Sequence, residues 1–384
     1  MNKARLFYLD NLKIFLIFLV ILHHVGQGYG PTGGWWFYMS SQPGKLEWMG
    51  RFFCVNASFF MGLFFMISGY FFAPSFDKKG FKNYSIDKLI RYGIPLVFVY
   101  WFMMPFVFYF NYQLYSDNPS LPFFIYLQKI YLGIGEQPQW FKPILTWPAS
   151  DLGFGHLWFI ENLLVYALLY AALRMILRKT AFANKFNLNV YLFTIVYILV
   201  VTIATFLVRD YHQVGDIKNI FGFFMIEIAH WPIYLGMLIS GIIANQTDMF
   251  QKFPSTYGKI LFAIGLILAA KVYFPSCFPN VINSLSGQYF DVFETILGFS
   301  LSFGLIVLFR DYLNSSNKLF TIMSDNAYGA YIFHYPIVIA LQYIFDNVPI
   351  GLPAKFIIVG VLSITISFAF SFLIRKPIVV KKVL

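Results

Sequence analysis

Apolar runs long enough to cross a bilayer recur along the whole chain, separated by short polar segments that hold most of the charge. The pattern predicts about ten spanning helices, at 9–30, 55–73, 91–111, 156–177, 190–208, 221–244, 259–274, 290–309, 327–345 and 354–374. The seventh is the weakest, since it ends on Lys271 and Pro275. The first is the most unusual, because it carries Asp10, Lys13, His23, His24 and Gln27 within an otherwise apolar run. Ionisable groups at that depth are costly and face a protein interior or a wet cavity. At ~100° per residue, Asp10, Lys13, His24 and Gln27 fall in one stripe, whereas His23 lies about 100° outside it. One face of this helix is polar from end to end.

Composition strengthens the membrane assignment. The 384 residues are 59% hydrophobic and only 12% charged, too few charges to cover a soluble domain of this length. Aromatics make up 21%, as expected of rings packed against lipid and at the interfaces. The net charge of +11 does not point to nucleic acid, because the cations are scattered over many short loops. Topology accounts for them better: with the N-terminus inside, the inner segments hold 19 Lys and Arg and the outer ones 8, leaving Lys13 within the first span to complete the 28. Both termini are therefore expected in the cytoplasm, in an all-α, polytopic protein of the cell membrane (the inner one where there are two). The first apolar run lacks a small-residue cleavage motif and is expected to stay in the protein.

Cys54 and Cys277 are too few for a disulfide framework or a zinc site of cysteines; whether they form one bridge is left open. A single membrane domain over 1–384 is expected, with no appended soluble domain, and no metal is expected, since His and carboxylates never cluster in a ligand motif. The outer segment 112–155, rich in Pro, Trp and Tyr, is either a lid in the interface or an inert connector. Sequence does not define the oligomeric state.

Five stretches carry a resemblance. Leu9-Asp10, a basic residue at Lys13 and a histidine eleven positions later at His24 resemble the opening of the acyltransferase-3 family, multi-spanning membrane enzymes that acylate glycans and other envelope molecules. The doublet His23-His24 followed by Tyr29-Gly30 resembles, more narrowly, the branch containing the glucan-modifying succinyltransferase. Lys13 stands where the family has arginine, which keeps the charge but not the forked donor. The stretch Asp87-Lys88-Leu-Ile-Arg91-Tyr-Gly-Ile-Pro95 is similar to the family's basic pair ahead of an Ile-Pro helix start. Phe59 to Tyr70, Gly155 to Asn162 and Ala327 to Pro336 resemble its second, fourth and ninth spans, in the same order.

The resemblance implies an acyltransferase that takes an acyl group, acetyl before succinyl, from acyl-CoA on the cytoplasmic side. No bound cofactor is implied; acyl-CoA is the donor substrate. The acceptor would be a hydroxyl of a glycan or other envelope molecule. His24 becomes the expected general base, since neutral histidine suits that task near pH 7; the alternative is a histidine that only bonds between helices. Glu161 and Asp10 are the further catalytic candidates: Glu161 either orients His24 or pairs with a basic residue, and Asp10 either pairs with Lys13 or caps the first span. Lys13, about 16 Å from His24 along the helix axis, is better placed to hold donor phosphate. Lys88 and Arg91 join it in that role, against the alternative of topology and lipid headgroups. Gln27, His156, Tyr331 and His334 are expected to line the cavity, while His23 is expected to be structural and Glu227 to pair with His230. A secondary transporter or flippase would also need intramembrane Asp, Glu and His, though the chain shows no inverted repeat.

Overall fold

The computed structural model describes residues 5–31, 38, 40–115, 119–132, 134–135, 145–146, 149–150, 155–176, 187–215, 217–220, 224–279 and 289–384. The predicted spans reappear as helices in the expected order. They are α1 (Phe7–Gln27), α2 (Trp48–Lys88), α3 (Ile94–Phe98), α4 (Met104–Tyr115), a short α5 (Phe123–Tyr126), α6 (Trp158–Ile176), α7 (Val190–Arg209), α8 (Trp231–Thr247), a one-turn α9 (Met249–Lys252), α10 (Ser255–Tyr273), α11 (Phe290–Tyr312), α12 (Lys318–Asp346), α13 (Leu352–Ile374) and a terminal α14 (Ile378–Val383). Among the described residues, eight helical segments are long and apolar enough to cross a membrane; one of them, Trp48–Gln113, runs for 66 residues. It holds two of the predicted spans, separated where Gly80 adopts φ +69°, ψ 172°, a conformation open essentially to glycine alone. The 29-residue α12 supplies the predicted ninth span. The chain is an all-helical, multi-pass membrane protein with eight to ten transmembrane helices.

The largest departure is in the predicted sixth span. Ile217–Ile220 and Phe224–Glu227 form an antiparallel hairpin (β3 and β4), and the helix begins only at Trp231, with Pro232 in its first turn. A short apolar run with β-branched and aromatic residues suits a strand as well as a helix, and the proline suits only the helix start. A smaller hairpin pairs Leu145–Thr146 (β1) with Ala149–Ser150 (β2). Part of the expected outer lid, including 136–144 with Trp140, lies outside the described residues, as do Lys3, Lys142, Arg178, Lys179 and Lys185. Cys54 and Cys277 are both free thiols.

Both ends of the chain meet on one face. Arg5 binds Asp325 at the start of α12, and Arg375, just past α13, donates to the Asp325 carbonyl. Arg5, Lys79, Lys88, Arg91 and Lys252, all assigned to the inner side, surround one cavity.

Two helices approach closely at the centre. A Cβ on Gly69 of α2 would run into the Leu238 carbonyl, and one on Gly241 of α8 into that of Met66. Small residues permit such backbone contact where lipid provides no hydrophobic drive. Because the obstructing atoms are backbone, Gly241→Leu is expected to cost about 3 kcal/mol and to lower the melting temperature of detergent-solubilised protein by several degrees. An unchanged melting curve would contradict the contact.

Prolines within the helices place polar partners. Pro336 cannot donate to the carbonyl four residues back, Ile332, and His156 Nε2 donates to that oxygen instead at 2.8 Å. Pro95 likewise leaves the Arg91 carbonyl, which accepts from the Tyr328 hydroxyl at 2.6 Å. Both bonds tie α12 to the walls of the cavities described next.

Candidate active site

Two cavities meet inside the bundle. The larger, about 1030 Å³, opens toward the face that carries Arg5, Lys79, Lys88, Arg91 and Lys252. The smaller, about 290 Å³, lies toward the opposite ends of the helices and is lined by His23, His24, Gln27, His156, Trp158 and Glu227 among others. Tyr331 borders both.

The larger cavity is basic at its mouth. Arg5, Lys13, Lys79, Lys88, Arg91 and Lys252 line it against Asp10, Asp87 and Asp248. Most of these charges are paired. Asp10 takes Arg5 at 2.6 Å and Lys13 at 3.4 Å, Asp87 takes Lys79 at 2.7 Å, and Asp248 lies 3.8 Å from Lys252. Lys88 and Arg91 face rings instead of carboxylates. The Lys88 ammonium sits 5.0–5.6 Å from the centres of Tyr92, Tyr84 and Phe72, with the Tyr92 hydroxyl at 3.5 Å, and Arg91 lies 5.9 Å from the ring of Tyr328. Cations held by ring faces keep their charge available for an incoming anion. Deeper in, the wall turns apolar, through Ile17, Phe64, Ile67, Phe159, Ile160 and Leu163.

His24 stands in the smaller cavity on the polar stripe of α1. Its Nδ1 lies 2.8 Å from Gln27 Oε1, one turn further on. An amide oxygen only accepts, so Nδ1 carries the proton and the lone pair lies on Nε2, the atom a general base needs. His334 stacks behind it at 5.2 Å between ring centres and donates from Nδ1 to the Tyr331 carbonyl. His334 is fully buried, is not among the residues lining either cavity, and is the support against which His24 packs. His156 stacks on Tyr335 at 4.5 Å and does line the cavity. His23 turns to the other side of α1, receives a bond from Asn56 Nδ2 at 3.2 Å and stacks on Phe60, yet its edge also reaches the cavity wall.

The carboxylates are distributed differently from expectation. Asp10 lies 14 residues before His24 on one helix, about 21 Å along the axis, and joins the cationic mouth rather than the histidine. Its pairing with Lys13 is present, and Arg5 adds a partner that sequence reading missed. Glu161 is buried in α6 and is not among the residues lining either cavity, whereas Gln27 holds His24 at Nδ1. Glu227 does pair with His230, at 2.9 Å, but within a larger network. His230 also approaches Glu294 at 3.2 Å, and Arg209 spans Asp291 and Glu294 at 2.6 Å each. The acidic pair Asp291 and Glu294, three apart at a helix start, was the available signal for it. Burial would raise the Glu227 carboxyl, yet His230 and the Gly215 N–H hold it below its ordinary range, as an anion at the cavity wall. Among the described residues, no three His, Cys, Asp or Glu side chains come together as metal ligands.

A polytopic helical bundle with a cationic chamber at one face, a tautomer-fixed histidine toward the other and one ring between them has the layout of a membrane-embedded group-transfer enzyme. Comparison with known families specifies the group: residues 6–372 match the acyltransferase-3 family, described as an acyltransferase domain. The chain belongs to this family and is an acyltransferase. No curated protein and no solved structure shows significant similarity to it.

Proposed function

We propose that the enzyme moves an acyl group from acyl-CoA, bound in the larger cavity from the cytoplasmic side, to a hydroxyl of a glycan or other envelope molecule held in the smaller one. The observation that carries this reading is the opposed pair of cavities. Two cations without carboxylate partners among the described residues, Lys88 and Arg91, face one of them, His24 faces the other, and Tyr331 stands between. The donor's phosphates meet the basic mouth, and its pantetheine arm runs up the apolar wall toward the boundary. His24 Nε2 takes the acceptor's hydroxyl proton as the oxygen attacks the thioester carbonyl. The C–S bond breaks, and the imidazolium returns that proton to the departing thiolate, so free coenzyme A leaves. Trp158 and Phe60 offer faces for a sugar ring, and Glu227 offers carboxylate oxygens to its hydroxyls. The apolar inner wall favours an uncharged acetyl over succinyl, whose second carboxylate would be buried there without a partner.

The test pairs two measurements. Mass spectrometry of envelope glycans from a deletion strain is expected to show a component lighter by one acetyl group. Purified protein in liposomes is expected to transfer labelled acetyl from acetyl-CoA to that deacylated component. Movement of an intact labelled solute across the liposomes, with no acyl transfer, would establish the transporter reading in its place.

A further inference from the structure

The cavities abut end to end on three helices at once. On α1, Ile17 belongs to the larger and Val20 to the smaller; on α2, Phe64 and Met61 divide in the same way; on α6 it is Phe159 and Trp158. Three residues of helix correspond to about 4.5 Å of rise on α1 and α2, and on α6 the two residues are neighbours about 1.5 Å apart, so the partition is less than one turn thick. Tyr331 crosses it and contributes to both walls. Its ring is nearly inaccessible, its hydroxyl donates to the His156 carbonyl at 2.5 Å, and the rings of His156, Phe159 and His334 lie 5.8–6.1 Å away.

Two chambers that lie toward opposite ends of the membrane-spanning helices, with so thin a wall between them, raise a physical problem. Without a seal, water and protons would cross through the enzyme, and a thioester in the inner chamber would meet water arriving from outside. Rings packed across so thin a wall exclude water because it finds no partner there. We infer that Tyr331 is the septum of this enzyme, a positioning residue that closes the inner chamber against outer water and admits only the thioester group to the histidine side. The phenol's bond to the His156 carbonyl fixes the ring across the gap. His156 is itself bonded to the carbonyl that Pro336 leaves unpaired, so the plug on α12 is braced by the turn that leads into α6. The inference rests on the two-chamber reading of function, but its test reads no acyl transfer, so either can fail alone.

The full chain is placed in liposomes loaded with a pH-sensitive dye, and external acid is added. Wild type and Tyr331→Phe, which keeps the ring, are expected to hold the gradient. Tyr331→Leu and Tyr331→Ala are expected to admit protons at least ~10-fold faster, by opening a wire of water through the partition. A second arm leaves the septum in place. With Cys54 and Cys277 replaced by alanine, Ile17→Cys is expected to react with a membrane-impermeant thiol reagent only from the face carrying Lys88. Val20→Cys is expected to react only from the other face. Tight Leu and Ala variants, or labelling of both cysteines from one side, would overturn the assignment.

Discussion

Replacing His24 with alanine is expected to cut acyl transfer by about 10³-fold, the scale of a lost general base, while leaving the KM for acyl-CoA unchanged. The split follows from position. His24 lines the smaller cavity and touches none of the cations at the mouth of the larger, so its loss removes proton transfer without weakening donor binding. His24→Gln retains a polar side chain of similar reach and is expected to be as inactive as the alanine variant, because an amide does not accept a proton at neutral pH. Gln27→Leu makes a graded companion: it releases the bond that keeps the imidazole proton on Nδ1, and a loss of about tenfold is expected for one hydrogen bond. Steady-state kinetics with acetyl-CoA and the deacylated acceptor give both numbers. Wild-type turnover by His24→Ala would remove the base from the mechanism and leave the family assignment standing.

How much of this was readable beforehand depends on the range of the interaction. The polar stripe of α1 placed His24 and Gln27 on one face, because a helix repeats every 3.6 residues and i, i+3 neighbours must meet. The stripe does not by itself single out Gln27 as the group on Nδ1, because a carboxylate such as Glu161 is an equally good partner on chemical grounds. Asp10 shows the limit of sharing a face: the same stripe carries it, but axial distance puts it in the other chamber. The prolines at 95 and 336 were visible only as parts of similar motifs. Their effect, leaving a carbonyl for Tyr328 and another for His156, needs helices distant in sequence to be packed together. The hairpin before α8 was hidden because its apolar residues satisfy either period over so short a run. Pairing across the partition at Tyr331 was also out of reach, since nothing local distinguishes a tyrosine that borders one cavity from one that divides two.

The second large effect is expected at the mouth of the donor chamber, where Lys88→Gln combined with Arg91→Gln should raise the KM for acetyl-CoA by about 10²-fold or more and leave turnover at saturation near wild type. A charge-assisted hydrogen bond contributes about 1.5–3 kcal/mol, so two lost together account for that range. Pairing decides which cations matter. Lys79 is already matched by Asp87 at 2.7 Å and Lys13 by Asp10 at 3.4 Å, so a phosphate approaching them must compete with a carboxylate. Lys88 and Arg91 sit against rings, so phosphate can bind them without displacing a carboxylate. Lys79→Gln therefore serves as the control, with a KM change of only a few-fold expected, because its loss leaves Asp87 to offset part of the remaining positive field. If the Lys88–Arg91 pair served only topology or lipid headgroups, the double variant would bind acetyl-CoA normally and differ in membrane orientation or yield. Dephospho-coenzyme A as a competitor separates the contributions further. Its penalty against wild type should shrink on whichever variant lacks the cation that meets the missing phosphate, and an equal penalty on both would mean that neither residue touches it.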